Sequence, residues 1–135
     1  MLFAINAAAD EHWLLFSAVL SLCVGSFINV VVYRLPIMLE REMETAQAER
    51  FDLFWPRSFC PSCTKKLSAF DNIPLLSWLL LRGRCRYCRR PIAVRYPLLE
   101  LFLMLMGITL AWRLGIGVDW FFMLALVALL LALAA

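Results

Sequence analysis

From Trp13 to Tyr33 the chain reads WLLFSAVLSLCVGSFINVVVY, without a charged side chain. At about 1.5 Å of rise per residue, roughly 20 apolar residues cross the ~30 Å hydrocarbon core of a bilayer, and Trp13 and Tyr33 stand where interfacial aromatic belts form. The residues ahead of Trp13 carry Asp10 and Glu11 and neither Lys nor Arg, unlike the basic start of a secretory signal peptide. We read residues 13–33 as a retained transmembrane helix after a short N-terminal segment, 1–12. A second apolar stretch, residues 98–112, and a third, residues 120–135, flank a turn at 113–119 that holds Gly115 and Gly117. The third stretch falls short of a full crossing and is still apolar at Ala135. A helix end in lipid leaves carbonyls unsatisfied, so the expectation is the start of a third transmembrane helix in a truncated chain.

Between the first two apolar stretches, residues 34–97 change character. After Pro36, the residues Leu39, Met43, Ala46, Arg50 or Phe51, and Phe54 recur at helical spacing, and Pro56 would stop the run. This predicts an amphipathic helix with Glu40, Glu42 and Glu44 on its wet face. The segment DNIPLLSWLLLRG predicts a second, short helix, with Asp71 or Asn72 as cap, Pro74 in the first turn and Gly83 at the C′ position. No internal repeat is evident.

Composition agrees with this division: 64% of the 135 residues are hydrophobic and 17% charged, with a mean hydropathy of +0.81. That excludes an ordinary soluble domain, and it excludes disorder. The net charge of +3 is too small to argue for nucleic acid. Its distribution matters more. Twelve of the thirteen Lys and Arg residues and six of the ten acids lie between Arg34 and Arg95, leaving +6 there and −3 elsewhere. Positive charge close to a span stays in the cytoplasm, so residues 34–97 are expected on the cytoplasmic side and the N-terminus and the 113–119 turn on the periplasmic side.

Four of the five cysteines form two pairs, Cys60-Pro-Ser-Cys63 and Cys85-Arg-Tyr-Cys88, separated by residues 64–84. Two thiolates two residues apart can chelate from one tight turn, and two such turns complete a tetrahedral zinc shell with Zn–S distances of about 2.3 Å. Lys65, Lys66, Arg84, Arg86, Arg89 and Arg90 would offset the charge. Two disulfides or a redox pair are the competing readings. A cytoplasmic location disfavours the first, and the lack of a thioredoxin-like βαβ pattern disfavours the second. A four-thiolate shell leaves no open position, which makes the expected zinc structural. Cys23 reads as packing within the first span. The fold class these features predict is an all-α polytopic membrane protein with a small cytoplasmic four-Cys zinc-binding insertion between the first two transmembrane helices.

In the first span, Ser17, Ser21, Gly25 and Asn29 recur every four residues. Such a stripe lets helices approach closely, and an Asn can hydrogen-bond across the interface; a polar group in hydrocarbon can equally mark a functional site. Glu100 is the one carboxylate inside a predicted span, where snorkelling or pairing with a loop Arg competes with a functional role. His12 receives no role.

The stretch GSFINVVVYRLP (Gly25–Pro36) resembles the N-terminal signature of the type IV prepilin peptidases. The resemblance continues through FCPSC (Phe59–Cys63), DNIPLLSWLLLRGRCRYC (Asp71–Cys88) and RYPLLE (Arg95–Glu100), in the family's order. It implies a bifunctional enzyme of the bacterial inner membrane that removes the leader of type IV prepilins or type II secretion pseudopilins. The same enzyme then methylates the new N-terminal residue with S-adenosylmethionine. The family's cytoplasmic cysteine domain binds zinc, matching Cys60, Cys63, Cys85 and Cys88; Gly25, Asn29, Arg34, Arg95 and Glu100 match motif positions without an assigned role.

The family's proteolysis uses two membrane aspartates near the cytoplasmic face, because two close carboxylates can share one proton. No such pair stands in this sequence: Asp119 is expected on the far side, and Asp52 and Asp71 fall outside the family's aspartate motifs. The pair is expected beyond Ala135, so the 135 residues alone should not cleave. A reading of another class remains, a membrane-anchored zinc module that binds partners and catalyses nothing.

Overall fold

The computed structural model describes residues 7–44 and 51–134. Three long helices carry the fold: α1 (Ala7–Glu44), α3 (Arg95–Leu114) and α4 (Val118–Ala134). A five-residue helix, α2 (Leu76–Leu80), stands in the irregular segment between α1 and α3, just after a 3-10 turn at Ala69–Asn72. Both α1 and α3 are long and apolar enough to cross a membrane. With 38 residues, α1 extends about 57 Å, well past a ~30 Å hydrocarbon core.

The helix expected to begin afresh after Pro36 is the continuation of α1, which keeps its course through Pro36 to Glu44. Proline costs the helix one hydrogen bond, and an exposed Pro36 leaves room for its ring. The expected extension to Phe54 fails, because residues 51–56 are not helical. Of its proposed face, Ala46 and Arg50 lie outside the described residues, as do residues 1–6 of the N-terminal segment and Ala135.

Small residues set how closely α1 and α3 pack. A Cβ on Gly107 of α3 would sit 1.8 Å from Ser21 Oγ, and one on Gly25 of α1 would sit 2.9 Å from Glu100 Cα. Ser17 and Ser21 are wholly buried in this seam. The Ser17 hydroxyl donates to Leu14 O at 2.8 Å, whereas Ser21 Oγ has no partner among the described residues. The small-residue stripe therefore serves packing along Ser17, Ser21 and Gly25. The third long helix adds Trp120, Leu124 and Ala128, one face at four-residue spacing, against Leu103 and Ala111 of α3 and Ile28 of α1. Trp120 Nε1 donates to Gly107 O at 2.9 Å, so α4 fastens to α3 at the residue whose missing side chain admits Ser21.

Outside this seam the helices are apolar all round: Leu15, Phe16, Val19, Phe102, Leu105, Phe122 and Leu130 are all exposed. A helix that is apolar on every face needs protein or lipid against it. Cys23 belongs to this outer face and is exposed, which corrects its reading as internal packing. It follows Ser21 by two residues, and that places it away from α3.

Candidate metal centre and adjoining cavity

Residues 59–66 and 84–91 fold into the same hairpin knuckle, although they share only their cysteines. Phe59 bridges Lys66, and Arg84 bridges Pro91. Cys60 N donates to Lys65 O at 3.0 Å and Cys85 N to Arg90 O at 2.9 Å; Thr64 N donates to Cys60 O at 2.8 Å and Arg89 N to Cys85 O at 3.1 Å. Leu67 N to Ser58 O and Ile92 N to Gly83 O close the two outer ends at 2.8 and 2.7 Å. Each bond of the first knuckle thus recurs at the matching position of the second, a backbone repeat that the side chains conceal. Thr64 and Arg89 take the same left-handed conformation (φ 56° and 61°) just after the second cysteine of each knuckle.

The knuckles face each other and bring the Sγ atoms of Cys60, Cys63, Cys85 and Cys88 within 4.8 Å of one another, so the four could hold one metal ion. Cys60 Sγ and Cys88 Sγ are 3.8 Å apart. A tetrahedral zinc with Zn–S bonds of ~2.3 Å has S···S edges of about 3.8 Å, so the donor set and its spacing fit zinc. The thiols are electrostatically unequal. Burial raises Cys60, but the N–H groups of Cys63 and Ser62 and the neighbouring thiols bring it down to about 7. The N–H of Arg90 lowers Cys88, while burial and the other three thiols outweigh it and push it up to about 11. A bound cation removes this conflict, since every ligand then favours its thiolate form.

Two further contacts brace the knuckles. Lys65 Nζ lies 5.3 Å from the centre of the Tyr87 ring, across the pair. Arg86 Nε donates to Asp71 Oδ1 at 2.6 Å; the carboxylate is 1% exposed and the guanidinium 53%. Asp71 is also the third residue of a capping box. Its Oδ2 accepts from Ser68 N and Ser68 Oγ at 3.2 and 2.8 Å, while Ser68 Oγ accepts from Asp71 N. Burial works against its ionisation, and Ser68 and Arg86 overcome this and hold the carboxyl below its ordinary range. Asp71 thus completes a box begun by Ser68 and does not cap α2; the signal for it was the Ser-x-x-Asp spacing at 68–71.

The expected single helix over 71–83 is broken in two. Leu75 occupies a tight γ-turn (φ 58°, ψ −51°) in which Leu76 N donates to Pro74 O at 2.6 Å, so Pro74 precedes the helix. At its other end Arg82 (φ 52°) takes the C′ position and Gly83 (φ 66°) the next. Arg82 N donates to Leu79 O and Gly83 N to Trp78 O, the paired bonds of a Schellman motif. Gly83 is one residue later than expected, and its need is steric as well: a Cβ there would lie 2.7 Å from Trp78 Cζ2.

A cavity of about 400 Å³ lies where the knuckles meet α1 and α3, and Asn29, Arg34, Cys60, Trp78, Tyr96 and Glu100 are on its wall. Asn29 Nδ2 donates to Tyr96 O at 3.1 Å and to Glu100 Oε1 at 3.5 Å, while Glu100 Oε2 accepts from Leu75 N at 2.8 Å. Glu100 therefore does not snorkel, and it pairs with no loop arginine among the described residues; it is buried and ties α3 to α1 and to the γ-turn. Arg34, 4% exposed, donates to Asp52 O at 2.8 Å and Pro56 O at 2.6 Å, and its guanidinium lies 5.4 Å from the Phe51 ring centre. It clamps residues 51–56 against α1. Gly25 adjoins Glu100. Arg95 is exposed, contacts the Tyr96 ring, and stays off this cavity.

Residues 19–114 match the family described as the bacterial peptidase A24 N-terminal domain. Among curated proteins, a prepilin leader peptidase/N-methyltransferase of Pseudomonas putida is 43% identical over 98% of the chain and 50% of its own length. One from Aeromonas hydrophila is 47% identical over 87% of the chain and 45% of its own length. One from Pectobacterium carotovorum subsp. carotovorum is 54% identical over 64% of the chain and 34% of its own length. The chain spans about half the length of the first two of these relatives. No solved structure matches it.

Proposed function

The chain belongs to the bacterial peptidase A24 family by its N-terminal domain, and from that premise we propose that it is the N-terminal part of a prepilin leader peptidase/N-methyltransferase. In this reading α1, α3 and α4 sit in the bacterial inner membrane, and the paired knuckles face the cytoplasm. The substrates are prepilins or type II secretion pseudopilins, whose new N-terminus is methylated with S-adenosylmethionine. The observation that carries the reading is the joining of a four-cysteine centre to the C-terminal half of α1 and the first turns of α3 through one cavity, whose wall includes the motif residues Asn29, Arg34 and Glu100. Cys60, Cys63, Cys85 and Cys88 would hold zinc, which supplies a fixed tetrahedral crosslink and, with four protein ligands, no open position for water.

Leader cleavage would need a close carboxylate pair, and in this reading Asp52, Asp71 and Asp119 are not that pair; Asp71 is engaged by Ser68 and Arg86, and Asp119 stands in the first turn of α4. The 135 residues are therefore expected to leave a prepilin uncut by themselves. The test is a chimera in which this chain replaces the matching half of the Pseudomonas putida relative, expressed in cells without a prepilin peptidase. Mass spectrometry of the pilin should show leader removal and N-methylation. A chimera that holds zinc and processes nothing would leave the chain a metal-binding membrane module.

A further inference from the structure

Glu100 is a buried carboxyl on the cavity wall that no cation meets among the described residues. It is 8% exposed, one oxygen accepts from the neutral Leu75 N–H at 2.8 Å, and the other meets only the Asn29 amide at a long 3.5 Å. No ion pair reaches it among the described residues. The arginines nearby are occupied: Arg34 binds the carbonyls of Asp52 and Pro56, and Arg86 binds Asp71. Arg90 lies on the cavity wall but is exposed to solvent. Glu100 is also held in place, because Gly25 lets the backbone of α1 come up against Glu100 Cα. A buried carboxylate is costly unless a cation or several strong donors meet it. Around it the wall is largely apolar, with Trp78, Ile92 and Tyr96.

We propose that Glu100 seats the ammonium group of an amine ligand with an apolar body, the nitrogen donating to Oε1 and the body lying against Trp78. The proposal deepens the reading above and rests on it for the source of the amine. An N-methyltransferase acts on a nitrogen, and the α-ammonium of a pilin freed of its leader is one source, while a lysine side chain is the other. Glu100 would bind and orient the nitrogen; the methyl donor lies outside the proposal.

The experiment is calorimetric titration of the whole chain, zinc-loaded in lipid nanodiscs, with phenylalaninamide, N-acetyl-phenylalaninamide and N-acetyl-lysinamide. An ammonium-bearing probe should bind at least tenfold more tightly than N-acetyl-phenylalaninamide. Glu100→Gln, which keeps an acceptor for Leu75 N–H, should lose that tenfold while holding its zinc and helix content. Whichever ammonium probe binds more tightly identifies the source. Equal binding of the acetylated phenylalanine probe, or unchanged binding to Glu100→Gln, would overturn the proposal. Should Glu100→Gln lose its zinc, the native chain decides. Methylammonium then displaces phenylalaninamide if the nitrogen is what is held, and its failure to compete overturns the seat. Loss of the seat with the chimera still processing pilin removes this proposal alone, whereas binding without processing removes the enzyme reading alone.

Discussion

The helices and the knuckle segment solve the same problem, holding a chain in place, by opposite means. In α1, α3 and α4 the buried set is continuous, running through Ile28, Leu103, Ala111, Trp120, Leu124 and Ala128, with serines and glycines letting backbones touch. From Phe51 to Val94 the buried residues are Cys60, Asp71, Gly83 and Cys85, and none is a large apolar side chain. Burial of apolar area cannot order so long a segment against its conformational entropy. What remains is point attachment: four thiols, a capping box, an ion pair, the Arg34 clamp and the Glu100–Leu75 bond. The helical part should therefore tolerate loss of the metal, and the knuckle part should tolerate disturbance of the helix seam.

The largest expected effect comes from removing the metal. Structural zinc contributes on the order of 10 kcal/mol in small modules. Cys60→Ser with Cys85→Ser, or a strong chelator, should take zinc from one per chain to none and open residues 57–92 to proteases, with helix content by circular dichroism nearly intact. Collapse of the helices as well would show that the two parts are not separately held. Because the thiol of Cys88 is pushed up to about 11 by burial and its neighbouring thiols, zinc binding at neutral pH should release protons, and apparent affinity should rise with pH across the neutral range.

Next comes the seam. Gly107→Ala puts a carbon 1.8 Å from Ser21 Oγ and 2.7 Å from Ser21 Cβ, so α1 and α3 must part. We expect a loss of about 3 kcal/mol, the upper end for overpacking, seen as a lowered thermal midpoint in detergent with zinc content unchanged. Adding Ser21→Gly removes both clashing atoms and should recover most of the loss. Failure of that rescue would mean that the contact with Ser21 is not what Gly107 relieves.

Within the knuckles, Asp71→Asn should cost about 2 kcal/mol by weakening the bonds to Arg86 and Ser68, read as faster transfer of zinc to a chelator. The carboxyl's folded pKa is lowered from 3.8. Its contribution is thus complete above that value and lost only as pH falls through the lower, folded one. The difference between native and variant should stay flat at any pH well above 3.8; a slope there would assign it to another group.

The two parts also differ in how far the sequence disclosed them. Apolar runs and the four-residue stripe Ser17–Ser21–Gly25 located α1, α3 and α4, because helical packing is periodic and periodicity is visible one residue at a time. The four cysteines were equally visible, since chelation restricts both residue type and spacing. Neither signal reached the backbone devices. The knuckle repeat shares no residue but cysteine, and what its two copies have in common is a set of N–H···O bonds that many side chains permit. Pro36 looked like a boundary because helix interiors seldom hold proline, yet an exposed face on a long helix absorbs it. Asp71 is visible as a cap, but the turn it serves is set by Ser68, three residues before it, and the Arg86 that also holds it lies 15 residues away. Glu100 stands out in the sequence as a lone carboxylate in a span, but its partners are Asn29, in another helix, and the amide of Leu75, which offers no side-chain signal.

The smallest effect tests the place where the two parts join. Leu75 holds φ 58° and ψ −51° while its N–H serves Glu100, and a side chain in such a turn carries strain of about 1–2 kcal/mol. At an ordinary site glycine is less stable than alanine by about 0.5–1 kcal/mol, because it loses more freedom on folding. Leu75→Ala and Leu75→Gly both give up the half-buried side chain and keep the N–H, so they differ in strain and chain entropy alone. If Glu100 and Pro74 force the turn, the usual order inverts, and Leu75→Gly exceeds Leu75→Ala by under ~1 kcal/mol in resistance to zinc transfer. In the Glu100→Gln background the inversion should persist, since glutamine still accepts the bond. In Glu100→Ala it should vanish, because a turn no longer tethered to α3 is free to relax into a conformation that suits alanine. An inversion that survives Glu100→Ala would place the strain in the turn itself and deny Glu100 any part in joining the knuckles to the helices.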